Sequence, residues 1–150
     1  MEQAKVEAAV EELAAVLRFT RGEAIARGQE VWLGGAGAAL EKGWSVTSTN
    51  FGGGSVLLRD HARLNGVKVC TEANVCDLPI AFVFSPRGSL SAEVNGSVVD
   101  RADMPVKLLV RPELFRQAGE PATYGAGLRL HVNAMGSVLV LPDDVPQSTT

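Results

Sequence analysis

Apolar or small side chains recur at helical spacing in the first 27 residues, and this pattern constrains the fold more than any other. Steps of four and three residues separate the members of one stripe, which are Val6, Val10, Leu13, Leu17, Thr20 and Ala24. Such spacing places side chains on one face of a helix. Helix-forming residues dominate the segment, so we predict one amphipathic helix over residues 2–27. Gly28 can adopt the left-handed conformation that ends a helix.

Short apolar runs separated by turn residues follow Gly28 and predict strands. We expect seven to nine strands in the fold. The candidate segments are Val31–Leu33, Gly43–Thr49, Val56–Arg59, Val67–Cys70, Pro79–Phe84, Leu90–Val94, Val98–Val99, Val106–Val110, Leu128–Val132 and Val138–Leu141. Asn95–Gly96 is a strong signal for a type I′ hairpin turn. A helix followed by strands predicts an α+β fold, in which the helix buries its stripe by lying across an antiparallel sheet.

The length and composition predict one folded domain. The chain has 150 residues, of which 46% are hydrophobic and 21% charged, which is ordinary for a globular protein. We predict a helix over 2–27, a β-rich head over 28–141 and a flexible tail over 142–150. Within the head, the Pro- and Gly-containing segment 111–127 is predicted to be a long loop. No run of about 20 apolar residues predicts a membrane span.

The charge distribution argues against a nucleic-acid-binding protein. The net charge is −3, and the 14 basic residues are spread along the chain instead of clustering. Seven arginines could in principle form a phosphate-binding patch, but scattered solubilising charges are the favoured interpretation. They are Arg59, Arg63, Arg87, Arg101, Arg111, Arg116 and Arg129.

No motif in the sequence predicts catalysis or a cofactor. Gly35–Ala39 half-resembles a dinucleotide fingerprint, but a strand follows at Gly43–Trp44 where that motif needs a helix. His61 falls in a predicted charged turn, and His131 on the polar side of a predicted strand, so both are expected at the surface. Asp143–Asp144 belongs to the predicted tail. We therefore predict no catalytic, cofactor-binding or metal-binding residues, and a protein that is not an enzyme.

Cys70 and Cys76, the two cysteines of the chain, predict a disulfide and an oxidising compartment. The alternative is two reduced thiols in a cytosolic protein. Zinc is disfavoured because His61 and His131 fit no ligand spacing. In the chain-entropy model, so short a loop stabilises the fold by about 2 kcal/mol.

The helix sequence and several later segments resemble the GspH/FimT family of minor pilins and pseudopilins. The resemblance covers residues 12–28, with its Arg-x-Glu-Ala-Ile pattern and a basic residue after it, and the strand Val31–Leu33 that follows. Weaker resemblances follow in the same order at Gly43–Trp44, at the Phe-x-Pro-x-Gly-like turn 84–88 and at the closing pair of strands 128–140. The motif positions in this chain are Arg21, Glu23, Ala24, Phe84 and Gly88.

The resemblance implies a type IV pilin-like fold and a structural role in a filament. It implies a leader removed by a prepilin peptidase and an apolar helical segment ahead of residue 2, which anchors the subunit in the inner membrane. Residues 2–27 would then be the second half of a longer helix, with its stripe on the sheet and its other face towards neighbouring subunits. The implied periplasmic location agrees with the disulfide prediction.

The expected function is that of a minor pilin near the tip of a type IV pilus, which assists pilus assembly together with other pilins. One alternative is a minor pseudopilin of type II secretion, and another is a DNA-binding or adhesive receptor module. Some pilus members carry a Gly-Arg-x-Arg element near the C-terminus. The matching residues here are Met135, Gly136, Ser137 and Val138, which lack both arginines and argue against DNA binding by that element.

Overall fold

The computed structural model describes residues 2–35, 39–49, 54–64, 66–71, 76–112 and 127–142. One helix comes first, α1 (Glu2–Arg27). Within these residues ten strands follow: β1 (Val31–Gly34), β2 (Trp44–Thr49), β3 (Ser55–His61), β4 (Val67–Thr71), β5 (Ile80–Phe84), β6 (Leu90–Val94), β7 (Ser97–Val98), β8 (Val106–Pro112), β9 (Leu128–Val132) and β10 (Val138–Pro142). Short 3-10 helices lie at Leu40–Lys42 and Arg101–Asp103.

Helix α1 has the length predicted from its apolar stripe. Its last turn ends at Gly28, which has a φ of 67° and donates its N–H to the carbonyl of Ala24 at 3.0 Å. This is the left-handed termination expected of a glycine after a helix. Thr20, a polar member of the stripe, is fully buried, and its hydroxyl donates to the Val16 carbonyl at 2.6 Å. That bond satisfies a hydroxyl that would otherwise be costly to bury.

The strands form two antiparallel sheets, and the helix packs against both. The six-stranded sheet has the order β3-β2-β1-β5-β6-β7, and the four-stranded sheet has the order β10-β9-β8-β4. Helix α1 contacts β1 and β5 of the first sheet and all four strands of the second. The core lies between these three layers, with Phe82 and Phe84 of β5 among its largest fully buried side chains. The predicted α+β fold, with the helix lying on antiparallel sheets, is confirmed.

The hairpin predicted at Asn95–Gly96 is present between β6 and β7. Both residues have positive φ, 54° and 82°, and Val94 pairs with Ser97 across the turn. A two-residue loop with positive φ at both positions is a type I′ turn.

Several predicted boundaries and exposures are wrong, for reasons of tertiary pairing. His61 ends strand β3 instead of lying in a turn, because β3 pairs with β2 on both sides of a register shift at Leu58 and His61 is opposite Trp44. His131 is half-buried, since β9 is an inner strand of its sheet. Strand β8 runs to Pro112 and β10 to Pro142, so the predicted loop 111–127 and tail 142–150 each begin in a strand. Their remainders, 113–126 and 143–150, lie outside the described residues, with Arg116 and Asp143–Asp144.

Candidate functional site at the helix and sheet junction

The six stripe residues of α1 are all buried at the junction between the helix and the two sheets. Val6, Val10, Leu13, Leu17, Thr20 and Ala24 are at most 1% exposed. Three further helical residues are buried with them, namely Ala9, Ala14 and Val16. The buried face is therefore wider than the predicted stripe, because two sheets enclose the helix instead of one. The opposite face, which includes Glu11, Ala15, Arg18, Gly22 and Ile25, is exposed.

Arg21 joins the helix to a turn of each sheet. Its Nε donates to the carbonyl of Gly88, in the turn between β5 and β6, at 3.1 Å. The same nitrogen lies 3.1 Å from the carbonyl of Met135, in the turn between β9 and β10. The first residue of β6 also meets the second turn directly, since the N–H of Leu90 donates to the Ala134 carbonyl at 2.8 Å. We call Arg21, Gly88, Met135 and Gly136 the Arg21 junction; it fixes the helix, the six-stranded sheet and the four-stranded sheet at one point.

Glycine is required at two positions of the Arg21 junction. Gly88 and Gly136 have φ values of 89° and 87°, which L side chains rarely adopt. A Cβ at Gly88 would lie 2.9 Å from Nη2 of Arg21. A Cβ at Gly136 would lie 2.6 Å from Cδ of Arg21 and 2.7 Å from the Gly88 carbonyl oxygen. The guanidinium can therefore reach both carbonyls only because neither turn carries a side chain there.

The structure brings two of the five family-motif residues together and leaves the others apart. Arg21 and Gly88 meet in the Arg21 junction. Ala24 and Phe84 are fully buried in the core. Glu23 pairs with Arg27 at 2.9 Å along the helix surface, an i,i+4 contact worth a few tenths of a kcal/mol. Sequence reasoning missed Gly136, which it treated only as part of a segment lacking arginines.

Arg21→Ala is expected to lower the free energy of unfolding by about 2 kcal/mol. The change leaves two turn carbonyls without their charged donor, and hydrogen bonds to charged groups contribute roughly 1.5–3 kcal/mol each when buried, less here because Arg21 is partly exposed. Urea unfolding of the purified domain measures the loss. Arg18→Ala is the matched control, since Arg18 is exposed on the same helix. Equal effects of the two substitutions would show that the junction contributes nothing specific.

Two side-chain contacts tie the edge strand β3 to the helix. His61 Nε2 lies 2.8 Å from Glu12 Oε1, and the His61 ring stacks on the buried Trp44 with centroids 4.6 Å apart. The guanidinium carbon of Arg59 lies 3.8 Å from the centroid of the Phe19 ring, a cation–π contact. No periodicity in the sequence predicts these contacts, because they depend on how β3 lies beside the helix.

Cys70 and Cys76 form a disulfide, as predicted. Their sulfur atoms are 2.02 Å apart, and Cys70 is buried in β4. The Lys68 ammonium, on the same strand, donates to both carboxylate oxygens of Asp77 at 2.8 and 3.1 Å. This hydrogen bond from Lys68 lowers the pKa of Asp77 below its usual value. The disulfide and this ion pair together connect β4 to the chain that leads into β5.

Reduction of the disulfide is expected to lower the free energy of unfolding by about 2 kcal/mol, the loop-closure contribution of so short a loop. Thermal unfolding with and without a reductant measures the change. The double variant Cys70→Ala, Cys76→Ala is the control and should unfold at one temperature in both conditions. A wild-type domain that is insensitive to complete reduction would contradict the prediction.

The described residues contain no cluster that would hold a metal ion. No group of three or more His, Cys, Asp or Glu side chains is placed to do so among them. His61 and His131 lie on different sheets. Six of the seven arginines considered as a phosphate patch are described, and they are distributed over both sheets and their connections. In this part of the chain, no helix combines the length and apolar character that a membrane span needs.

Comparison with known proteins identifies the family of the chain. The family model described as type II transport protein GspH matches residues 9–110. The type IV minor pilin FimU of Pseudomonas aeruginosa is 20% identical, with a TM-score of 0.59, over 98% of this chain and 96% of that one. The minor pseudopilin EpsH of Vibrio cholerae is 13% identical, with a TM-score of 0.57, over 93% of this chain and 98% of that one.

These structural similarities show a shared fold, and the family model spans more than half of the chain. The comparison with curated proteins found no match. The family predicted from the helix sequence is confirmed, and the chain belongs to the GspH family, the GspH/FimT group of minor pilins and pseudopilins.

Proposed function

We propose that the chain is a minor pilin, a structural subunit near the tip of a type IV pilus that assists assembly of the filament. The observation that carries the proposal is the division of α1 into two faces. One face is buried against both sheets, and the other exposes Glu11, Ala15, Arg18 and Ile25. A helix of 26 residues, about 39 Å long, therefore presents a continuous outer face while the head holds it rigidly.

The Arg21 junction suits this role because it fixes the helix relative to both sheets. A subunit that transmits contacts between neighbours needs its helix and head to keep one relative orientation. Arg21 supplies this through carbonyls in two turns, one from each sheet. We infer that the protein's role is structural and not catalytic, since its distinctive polar contacts join secondary-structure elements.

A second candidate is a minor pseudopilin of a type II secretion system. The description of the matching family model favours it, as does the fold shared with EpsH. The fold shared with FimU favours the pilus to a similar degree, so geometry does not separate the two candidates.

We also propose that an apolar helical segment precedes residue 2 and anchors the subunit in the inner membrane, with the head in the periplasm. The disulfide supports an oxidising compartment. Other pilins or pseudopilins are the proposed partners. DNA binding through the turn at Met135–Val138 is not proposed, because this turn carries no arginine. We expect no gel shift of DNA by the domain at low salt.

Deletion of the gene in its native bacterium tests both candidates. Sheared surface pili and secreted enzymes are quantified in the deletion strain and in the strain complemented with the full-length chain. Loss of pili with normal secretion supports the minor pilin, and loss of secretion with normal pili supports the pseudopilin. A strain normal in both respects would contradict the proposed function altogether.

A further inference from the structure

An apolar groove crosses the outer face of the six-stranded sheet, on the side away from the helix. Its volume is about 410 Å³. Its floor consists of the small residues Ser45, Gly34 and Ala81, which are paired in register across β2, β1 and β5. Trp32 forms one wall, and Pro79 lines the groove with the Gly96 turn. We call this the Trp32 groove.

The floor of the groove depends on Gly34. A Cβ at this position would lie 3.3 Å from the Cβ of Ala81, which is tighter than most real contacts. With hydrogen at Gly34 and a methyl group at Ala81, the row of small residues leaves a depression beside the indole of Trp32. Trp32 is 38% exposed, on a strand whose neighbouring residues Val31 and Leu33 are fully buried. Trp32 therefore offers apolar area that the fold itself does not bury.

Carboxylates stand at both ends of the row that forms the floor. Ala81 pairs with Glu93 of β6 at one end, and Ser45 pairs with Asp60 of β3 at the other. Among the described residues that line the groove, Glu93 is the only charged one. Within the part of the chain that the structure describes, no lysine or arginine forms an ion pair with either carboxylate. The row is uncharged in its middle and has a carboxylate at each end: Glu93 lines the groove, and Asp60 lies one strand beyond Ser45, at its margin.

The dimensions and charge select a class of occupant. The row from Asp60 to Glu93 crosses four interstrand intervals of about 4.8 Å, or roughly 19 Å in all, which an extended peptide spans with about six residues. Lysine or arginine side chains near the two ends of such a segment would complement the carboxylates. A small or apolar middle would lie on Gly34 and Ala81 and against Trp32, and an arginine could also stack on the indole face. Tryptophan is enriched among the residues that dominate protein interfaces.

We propose that the Trp32 groove binds an extended, basic segment of a neighbouring subunit in the filament. The identity of the partner rests on the proposed function, whereas the chemistry of the segment rests on the groove. The contact is made by the head and is separate from the outer face of α1, so the subunit holds its neighbours at two places. Electrostatic attraction at Asp60 and Glu93 aligns the segment along the row that joins them.

Photocrosslinking in the native bacterium tests the proposal with the full-length chain. The photoreactive residue p-benzoylphenylalanine replaces Thr47, which lines the groove beside Trp32 and is not one of the residues proposed to contact the segment. The same replacement at Leu139, which is 55% exposed on the other sheet, is the positional control. Mass spectrometry identifies each adduct. The expected result is an adduct from position 47, and not from 139, with a lysine- or arginine-containing segment of another filament subunit.

Substitutions in the groove should then reduce the yield of that adduct. We expect a loss of about 10-fold or more for Trp32→Ala, and of roughly 3- to 10-fold for Glu93→Arg or Asp60→Arg, since exposed charges contribute modestly. Leu139→Ala and Asp103→Arg, both at exposed residues outside the groove, should leave the yield unchanged. Trp32, Glu93 and Asp60 all lie on the outer face of the sheet, so these substitutions should leave the fold intact. Circular dichroism of each purified domain verifies this.

Three results would each overturn the groove proposal. They are the absence of an adduct from position 47, an adduct with an acidic segment or a glycan, and an adduct yield that is insensitive to Trp32→Ala and Glu93→Arg. Complementation of the deletion strain reports on the proposed function independently. A chain that restores filaments but gives no such adduct refutes only the groove, whereas a deletion without a filament or secretion defect refutes the function itself.

Discussion

Leu17→Ala is expected to lower the free energy of unfolding by about 3–4 kcal/mol, within the range measured for leucine-to-alanine changes in buried cores. Leu17 is completely buried at the junction of α1 with the two sheets. The change removes three carbon atoms from a site enclosed on both sides by sheets, where the backbone has little freedom to collapse into the cavity. For a domain of this size the melting temperature should fall by about 10 °C. Differential scanning calorimetry of the purified domain measures both quantities.

Ile25→Ala is the matched control on the same helix. Ile25 is 45% exposed on the outer face, so its truncation creates no enclosed cavity, and alanine is the better helix former. Its expected effect is within about 0.5 kcal/mol of zero. If the two substitutions cost the same, the burial of the stripe would not be what holds the helix to the head. For contacts between subunits in a filament, Ile25→Ala should have the larger effect of the two, since Ile25 lies on the face proposed to meet neighbouring subunits.

The helix could be predicted closely because its evidence is local. The spacing of the six stripe residues and the glycine at position 28 both act within a few residues, and the observed Glu2–Arg27 agrees with the predicted segment. The Asn95–Gly96 turn was predictable for the same reason, since its two residues alone determine the positive φ values.

The division into two sheets could not be predicted, because it depends on pairs that are distant in sequence. Strand β1 pairs with β5, and β4 pairs with β8. No local sequence pattern in any of these strands indicates which strand it pairs with. His61 shows the consequence. Its charged neighbours suggested a turn, but pairing with β2 extends β3 through it. Family resemblance, and not periodicity, pointed to Arg21 and Gly88.

Gly136 was missed because the physical reason for it lies 115 positions earlier in the chain, at Arg21. The acceptors at the Arg21 junction are backbone carbonyls, which every residue possesses, so no residue type marks them. A positive φ at Gly136 also has no unique signature, since glycines are frequent in this chain. The row of small residues Ser45, Gly34 and Ala81 could not be predicted either, because its members come from three separate strands.

Gly136→Ala is expected to lower the free energy of unfolding by about 3 kcal/mol, through two separable causes. The first is the φ of 87°, which costs an L residue roughly 1–2 kcal/mol. The second is the new methyl group, 2.6 Å from Cδ of Arg21 and 2.7 Å from the Gly88 carbonyl oxygen, which must displace one of them. Overpacking of this kind typically costs about 1–3 kcal/mol. Urea unfolding measures the sum.

Gly96→Ala separates the two causes, because Gly96 has a similar φ of 82° but no atom within 4 Å of the position that a methyl group would take. It should show the backbone cost alone, about 1–2 kcal/mol. In an Arg21→Ala background the cost of Gly136→Ala should fall, since the side-chain clash is gone while the contact with the Gly88 carbonyl remains. Strictly additive effects of the two substitutions would mean that Arg21 and Gly136 do not touch. A positive coupling would instead establish that the guanidinium occupies the space left by the missing side chain, and hence that Arg21, through the turns at Gly88 and Gly136, holds the helix to both sheets.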